Sequence, residues 1–179
     1  MRIYGNRQIK TLSGELTRPT LSKVREAIFN IWQGQIVGCA WLDLCAGSGS
    51  MGAEALCRGA ATVVGIEKNN QACRIIADNW QKVAKPEQTH TLLKGDVRKR
   101  LDNLYGEKFD LIYFDPPYAA KLYDPVLEAI AAYDLLKYTG ELAVEYDPKL
   151  WQPITVEGLE IFREKNYGKT AIAFYRTTD

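Results

Sequence analysis

The hydrophobic positions of the chain form short apolar runs that alternate with segments of helical spacing. The apolar runs, which we predict to be strands, begin at Ala40, Ala61, Thr89, Phe109 and Thr139. Apolar residues recur at helical spacing near residues 51–57, 70–83, 97–104 and 123–136, and these segments are predicted helices. Strands that alternate with helices are typical of a doubly wound α/β fold with a mostly parallel sheet.

The two ends of the chain depart from this alternation. Val156–Phe162 and Thr170–Tyr175, joined by residues 166–169, predict a hairpin that adds an antiparallel edge and brings the sheet to seven strands. The first 40 residues predict an N-terminal extension with short strand-like pieces and a helix from about Ser22. We therefore divide the chain into an extension, 1–40, and a main α/β domain, 41–179.

The N-terminal extension is rich in cations. Its basic residues are Arg2, Arg7, Lys10, Arg18, Lys23 and Arg25, and they are accompanied by only two acidic residues, Glu15 and Glu26. Such a cluster is either the solvated edge of a helix or an arm that follows nucleic-acid phosphates. Composition alone leaves both interpretations open.

The bulk composition narrows the class of protein. The chain has 179 residues and a formal net charge of +1, so any nucleic-acid surface must be local. It has neither a long apolar run nor a signal-like start, and we expect a soluble cytoplasmic protein without a membrane partner. The four cysteines lack C-x-x-C spacing and His90 is the only histidine. We therefore expect reduced thiols and no metal site.

The strongest candidate for chemistry is the end of the run that begins at Phe109. Five apolar or aromatic residues are followed by Asp115-Pro116-Pro117-Tyr118. Two successive prolines supply no backbone N–H and fix two φ angles, so the strand must stop in a stiff loop. A buried parallel strand that ends in a rigid polar loop is where open α/β sheets place their active sites.

A glycine-rich turn follows the first main strand. Gly47, Gly49 and Gly52 satisfy the dinucleotide pattern G-x-G-x-x-G, which by itself would also suit a nicotinamide-dependent oxidoreductase. Asp43 at the end of the strand helps to decide between a dinucleotide and a cationic ligand. A carboxylate there repels pyrophosphate and favours a cationic ligand such as S-adenosylmethionine, which carries a sulfonium and an amino group.

Acidic residues also end the next two predicted strands. Glu67 could accept hydrogen bonds from both ribose hydroxyls of a nucleoside. Asp96 could meet the adenine amino group, or it could cap the helix that begins at Val97.

These motifs are similar to those of the class I S-adenosylmethionine-dependent methyltransferases, and over the whole chain the match is closer. Three stretches resemble the bacterial 16S rRNA guanine-N2 methyltransferases: Arg18-Pro-Thr…Val24-Arg-Glu-Ala-Ile-Phe-Asn-Ile31, Asp43-Leu-Cys-Ala-Gly-Ser-Gly…Gly52-Ala-Glu-Ala-Leu-Cys-Arg-Gly-Ala60 and Tyr167-Gly-Lys-Thr170. The sequence departs from that family at Ser22 and Cys45, where an aspartate and a phenylalanine are usual.

The resemblance implies a Rossmann-like methyltransferase sheet, S-adenosylmethionine as cofactor and a set of site residues. The catalytic loop would be Asp115, Pro116, Pro117 and Tyr118, and the cofactor would contact Asp43, Ala46, Gly47, Ser48, Gly49, Glu67 and Asp96. The substrate would be a guanine N2 in 16S rRNA, within the small ribosomal subunit or an assembly intermediate, with the basic extension on the RNA. We expect a monomer. An adenine-N6 methyltransferase on DNA or RNA is the alternative, because it shares the Asp-Pro-Pro-Tyr chemistry.

Overall fold

The computed structural model describes residues 1–12 and 19–178, and for residues 19–21 only the backbone. Glu15 and Arg18 therefore lie outside the described residues. The strands are β1 (Arg2–Ile3), β2 (Arg7–Gln8), β3 (Ala40–Leu44), β4 (Thr62–Glu67), β5 (Thr89–Lys94), β6 (Phe109–Phe114), β7 (Leu136–Tyr146), β8 (Leu159–Tyr167) and β9 (Thr170–Thr177). The helices are α1 (Pro19–Ile31), α2 (Ser50–Cys57), α3 (Asn70–Val83), α4 (Val97–Arg100) and α5 (Tyr123–Ala132). None of the helices in the described ranges is long and apolar enough to cross a membrane.

Seven of the strands form one sheet in the order β5-β4-β3-β6-β7-β9-β8. The strands from β5 to β7 pair in parallel, whereas β9 pairs antiparallel with both β7 and β8. The predicted doubly wound sheet with an antiparallel C-terminal hairpin is thus confirmed. The chain runs outward from β3 to β5 and then returns to place β6 on the other side of β3. This reversal opens a crevice at the carboxyl ends of β3 and β6.

The sheet separates two hydrophobic layers, and β6 shows how the sequence builds both. Its side chains alternate, so that Leu111 and Tyr113 belong to the layer beneath α1, α2 and α3. Ile112 and Phe114 belong to the opposite layer, beneath α4 and α5. A strand that is buried on both faces is expected to be a continuous apolar run, as the Leu111–Phe114 part of β6 is.

The N-terminal extension contributes to the first of these layers. Ile3 and Ile9 of the β1–β2 hairpin are buried there, together with Phe29 and Trp32 of α1. The ring of Phe29 stacks on Trp41 of β3 with centroids 5.2 Å apart. The described part of residues 1–40 therefore shares a core with residues 41–179.

Several element boundaries differ from those predicted. The first helix begins at Pro19, before Ser22, and α5 ends at Ala132 instead of continuing to Leu136. Asp134 follows α5 with a φ of 52°, a left-handed conformation that stops a helix and lets β7 begin early. The segment after Asp96 has one α-helical turn followed by a 3-10 turn at Leu101–Leu104.

Candidate active site

The turn between β3 and α2 combines a buried acid with left-handed backbone. Gly47 and Gly49 have φ angles of 58° and 71°, and Cys45 also has a positive φ of 61°. Glycine adopts such angles without a steric penalty, which is why the turn can be this tight. The Asp43 carboxylate accepts a hydrogen bond from the backbone N–H of Gly52 at 3.1 Å. Burial raises the pKa of Asp43 to about 8, and this hydrogen bond opposes the rise.

Glu67 connects the end of β4 to the same turn. One carboxylate oxygen accepts the backbone N–H of Gly47 at 2.9 Å. The other accepts the N–H of Asn69 at 2.8 Å, just before α3 begins. Glu67 thus holds the glycine-rich turn and also presents its carboxylate at the crevice.

Asp96 caps α4, as one of its two predicted roles requires. Its side chain accepts the backbone N–H of Arg98 at 3.0 Å and forms an ion pair with the Arg98 guanidinium at 2.9 Å. The hydrogen bonds from Arg98 lower the pKa of Asp96 to about 2. The contact with an adenine amino group stays a prediction, and Asp96 does face the crevice.

The catalytic loop predicted from sequence follows β6 directly. The N–H of Asp115 approaches the Leu44 carbonyl at 3.5 Å, which brings the loop beside the glycine-rich turn. Tyr118 lies in a short 3-10 turn, and its hydroxyl is 3.5 Å from a carboxylate oxygen of Glu145 and 3.4 Å from Thr170 Oγ1. Burial raises the pKa of Tyr118 to about 12, so the phenol keeps its proton at neutral pH.

Two adjoining cavities collect most of the predicted site residues. The larger, about 390 Å³, is lined by Gly47, Glu67, Asp96, the Asp115–Tyr118 loop and Glu145, among others. The smaller, about 80 Å³, is lined by Asp43, Ala46, Gly47, Ser48 and Asp115 together with Met1 and Arg25. Gly49 lines neither of the two cavities. The larger volume is in the range of small-molecule sites.

The basic residues of the extension that the structure describes divide into two groups. Arg2, Arg7, Lys10 and Lys23 are exposed, although Arg7 donates to the Val83 carbonyl and Lys10 pairs with Asp78. Arg25 is instead buried, and its Nε lies 2.7 Å from a carboxylate oxygen of Glu54 on α2. It also donates to the Arg2 carbonyl at 3.0 Å. We correct the proposed RNA contact of Arg25 accordingly, because a buried ion pair makes it a structural residue that joins α1 to α2.

Glu145 is the site residue that sequence reasoning missed. It is 2% exposed near the end of β7 and accepts a hydrogen bond from the Tyr113 hydroxyl. The available signal was an acid in the apolar run Leu142-Ala-Val-Glu145, the same pattern that identified Asp43 and Glu67. An acid in a buried strand needs hydrogen-bonding partners, which makes such positions worth testing as site residues.

Comparison with known proteins identifies the family. The model of the family described as "Conserved hypothetical protein 95" matches residues 1–176. The chain belongs to this family. YlbH of Bacillus subtilis (strain 168) is 31% identical over 172 residues, which cover 95% of this chain and 93% of that protein. The "Ribosomal RNA small subunit methyltransferase D" of Haemophilus influenzae is 29% identical, over 97% of this chain and 90% of its own.

Solved structures agree with this assignment. The structure of yhhF from Escherichia coli superposes with a TM-score of 0.85 and 25% identity, and the match covers 99% of this chain and 97% of that one. The family resemblance inferred from the three sequence stretches is confirmed, and the fold is that of the class I methyltransferases. Family and fold therefore favour the methyltransferase interpretation of the Gly47–Gly52 turn over the oxidoreductase one.

Proposed function

We propose that this protein transfers a methyl group from S-adenosylmethionine to the exocyclic N2 of a guanine in 16S rRNA. The observation that carries the proposal is the joining of two sites in one crevice. Gly47, Glu67 and Asp96 line the larger cavity together with the Asp115–Tyr118 loop. Relatives named as small-subunit rRNA methyltransferases support the substrate.

The residues present suit S-adenosylmethionine by charge. Asp43 would face the cationic methionyl end beside the Gly47 turn, and Glu67 would accept hydrogen bonds from the ribose hydroxyls. Asp96 would meet the adenine amino group at the outer part of the crevice. When bound, S-adenosylmethionine supplies an electrophilic methyl group on a sulfonium. The protein's task is then to orient the acceptor nitrogen and exclude water.

The acceptor nitrogen needs orientation because its lone pair is delocalised into the guanine ring. The Asp115 carboxylate and the Pro116 carbonyl would each accept one N2–H hydrogen bond and so turn the lone pair toward the methyl group. Tyr118 would stack on the face of the extruded base, as aromatic side chains do with flipped bases. Its hydroxyl contacts with Glu145 and Thr170 hold the ring in place for this role. Positioning and electrostatics then supply most of the rate.

The exposed basic residues of the extension would bind the RNA backbone. Met1 and Arg25 line the smaller cavity, which also includes Asp115, so the extension borders the part of the crevice that would hold the methionyl end of the cofactor. We propose residues 1–40 as the RNA-contacting unit and residues 41–179 as the catalytic unit of a cytoplasmic monomer. The substrate we propose is the small ribosomal subunit or an assembly intermediate, in keeping with relatives named as small-subunit rRNA methyltransferases.

One experiment tests the proposal directly. Cofactor labelled in its methyl group is incubated with the protein and either small subunits lacking the modification, protein-free 16S rRNA or duplex DNA. We expect labelling of RNA, with N2-methylguanosine found on nucleoside analysis, and none with Asp115→Ala. N6-methyladenosine as the product, or preferential labelling of duplex DNA, would reject the guanine-N2 assignment in favour of an adenine-N6 methyltransferase.

A further inference from the structure

Glu145 lies in the strand beside the catalytic loop. Phe114 at the end of β6 pairs with Val144 of β7, so Asp115 and Glu145 are the next residues of two adjacent parallel strands. Both line the larger cavity together with Tyr118. A buried carboxylate therefore faces the place where the Asp115–Tyr118 loop would hold its substrate.

Two tyrosines fix the orientation of this carboxylate. The hydroxyl of Tyr113 donates to one oxygen, and the hydroxyl of Tyr118 lies 3.5 Å from the other. A neutral acceptor would satisfy these hydroxyls at a lower cost of desolvation. A carboxylate has about four lone-pair positions and can accept a further N–H while it holds both tyrosines. Its presence at the cavity wall thus favours a ligand that is rich in donors.

Guanine has such a donor edge. Its Watson–Crick edge presents the N1–H beside the N2 amino group, whereas adenine presents N1 as an acceptor beside its amino group. Enzymes that extrude a base recognise this edge by hydrogen bonds. We propose that Glu145 is a specificity-determining residue that accepts the N1–H of the target guanine while the Asp115 loop holds N2. This inference rests on the proposed function and adds to it the residue that selects guanine.

Glu145 would also disfavour the binding of bases that lack the N1–H. A base with an unprotonated N1 would direct a lone pair at the Glu145 carboxylate and leave that carboxylate without its donor. Sites built to hydrogen-bond a substrate group discriminate strongly against analogues that lack it. Glu145 would therefore prevent methylation of a base whose amino group alone fits the loop.

The test uses a substrate base that lacks the N1–H. Once the methylated nucleotide has been located, 16S rRNA is ligated with 2-aminopurine at that position, which keeps the N2 amino group but has neither the N1–H nor O6. The Glu145→Gln variant separates the effect of N1 from that of O6, because only N1 is the proposed partner of residue 145. We expect the wild-type protein to methylate this RNA about tenfold to a hundredfold more slowly than the guanine RNA, the scale of one charge-assisted hydrogen bond. Glu145→Gln, whose amide can donate to an unprotonated N1, should reduce that discrimination by about tenfold or more.

A matched control separates recognition from structure. Glu164→Gln changes another carboxylate that accepts a tyrosine hydroxyl, that of Tyr146 at 3.2 Å, on β8 away from the cavity. It should leave the discrimination between the two RNAs unchanged. Equal rates on both RNAs with the wild-type protein would overturn the proposal even if Glu145→Gln failed to fold. Equal loss of rate on both RNAs with folded Glu145→Gln would also overturn it, since a positioning role alone predicts that result. A failure of the proposed function itself would be seen before this test, because the nucleoside formed in unaltered RNA would then not be N2-methylguanosine.

Discussion

The indole Nε1 of Trp80 donates a hydrogen bond to the carbonyl oxygen of Gly49, at 2.9 Å. This bond connects α3 to the turn that would hold the cofactor, although Gly49 itself lines neither cavity. The same indole packs directly against the backbone at Gly52 and Gly65. A Cβ added at Gly52 would lie 2.6 Å from a ring atom of Trp80, and one added at Gly65 would lie 2.5 Å away. Gly52 of α2 and Gly65 of β4 are therefore required because the Trp80 ring occupies the space that a side chain would need.

Gly65→Ala should lower the free energy of unfolding by about 1–3 kcal/mol, because overpacking a well-filled core forces side chains from their preferred positions. Urea denaturation measures the loss. Gly34→Ala is the matched control, since nothing lies within 4 Å of its added Cβ, and it should be nearly neutral. The double variant Gly65→Ala/Trp80→Phe should be less destabilised than the sum of its two single variants, since the smaller ring leaves room for the methyl group. Simple additivity would show that Trp80 does not limit this position.

The acids at the strand ends show what the sequence could reveal and what it could not. Asp43, Glu67 and Asp115 each follow an apolar run, and in parallel strands such ends meet at one edge, so their assembly in one crevice was predictable. Glu145 obeys the same rule but has no neighbouring glycine turn or double proline to single it out. Its importance arises from the adjacency of β6 and β7 and from the Tyr113 hydroxyl, which no local pattern encodes.

The basic extension shows a different limit. Local composition groups Arg25 with Arg2 and Lys23, because charge clusters are counted along the chain. Its burial depends on Glu54, which is distant in sequence and lies on α2. The end of α5 was also missed, because helical spacing continues past Ala132 while the left-handed backbone at Asp134 stops the helix.

Asp115→Ala should abolish methyl transfer while leaving the affinity for S-adenosylmethionine nearly unchanged. The reason is that its proposed partner is the acceptor nitrogen and not the cofactor. Single-turnover rates and calorimetric titration measure the two quantities separately. Glu128→Ala, which removes an exposed acid on α5, is the control and should leave both unchanged. A loss of cofactor affinity equal to the loss of rate would assign Asp115 to the cofactor site.

Glu67→Ala should weaken S-adenosylmethionine binding by about 1.5–3 kcal/mol, the scale of hydrogen bonds to a charged group. Because Glu67 also accepts the N–H of Gly47, part of this loss could come from the turn itself. A cofactor analogue with a 2′-deoxyribose separates the two contributions. The substitution should weaken binding of the analogue less than binding of the cofactor, and equal losses for both ligands would exclude a contact with the 2′-hydroxyl.

Cofactor binding should release a proton from Asp43. Burial raises its pKa to about 8, so below that pH the free protein holds the proton. A cation in the adjoining cavity favours the ionised carboxylate, so Asp43 loses its proton when the cofactor binds. The affinity for S-adenosylmethionine should therefore rise between about pH 6 and pH 8. Calorimetry in buffers of different ionisation enthalpy measures the released proton. Asp43→Asn has no proton to release at this position. The difference in proton release between the wild-type protein and the variant is therefore due to Asp43 and not to the amino group of the cofactor. An identical pH dependence of affinity in both proteins would show that the cationic group does not bind next to Asp43.

The RNA affinity of the extension should depend on salt through its exposed cations. Deleting residues 1–12 is an unsuitable test, because Ile3 and Ile9 belong to the core and their loss would uncover it. Point variants avoid this problem. Arg2→Gln and Lys23→Gln should each reduce the magnitude of the slope of log affinity against log salt by about 0.7, the value for one neutralised phosphate of single-stranded RNA.

The control for this prediction is Lys108→Gln. Lys108 directly precedes β6, so it lies at the amino-terminal ends of the parallel strands, opposite the crevice at their carboxyl ends. It forms an ion pair with Asp134. It should leave the slope unchanged. Filter binding of 16S rRNA over a range of salt concentrations measures all three variants, and calorimetry with S-adenosylmethionine checks that each still binds its cofactor. A slope that falls equally in Lys108→Gln would show that binding follows total charge, whereas a slope that changes only in Arg2→Gln and Lys23→Gln places the phosphates along the extension.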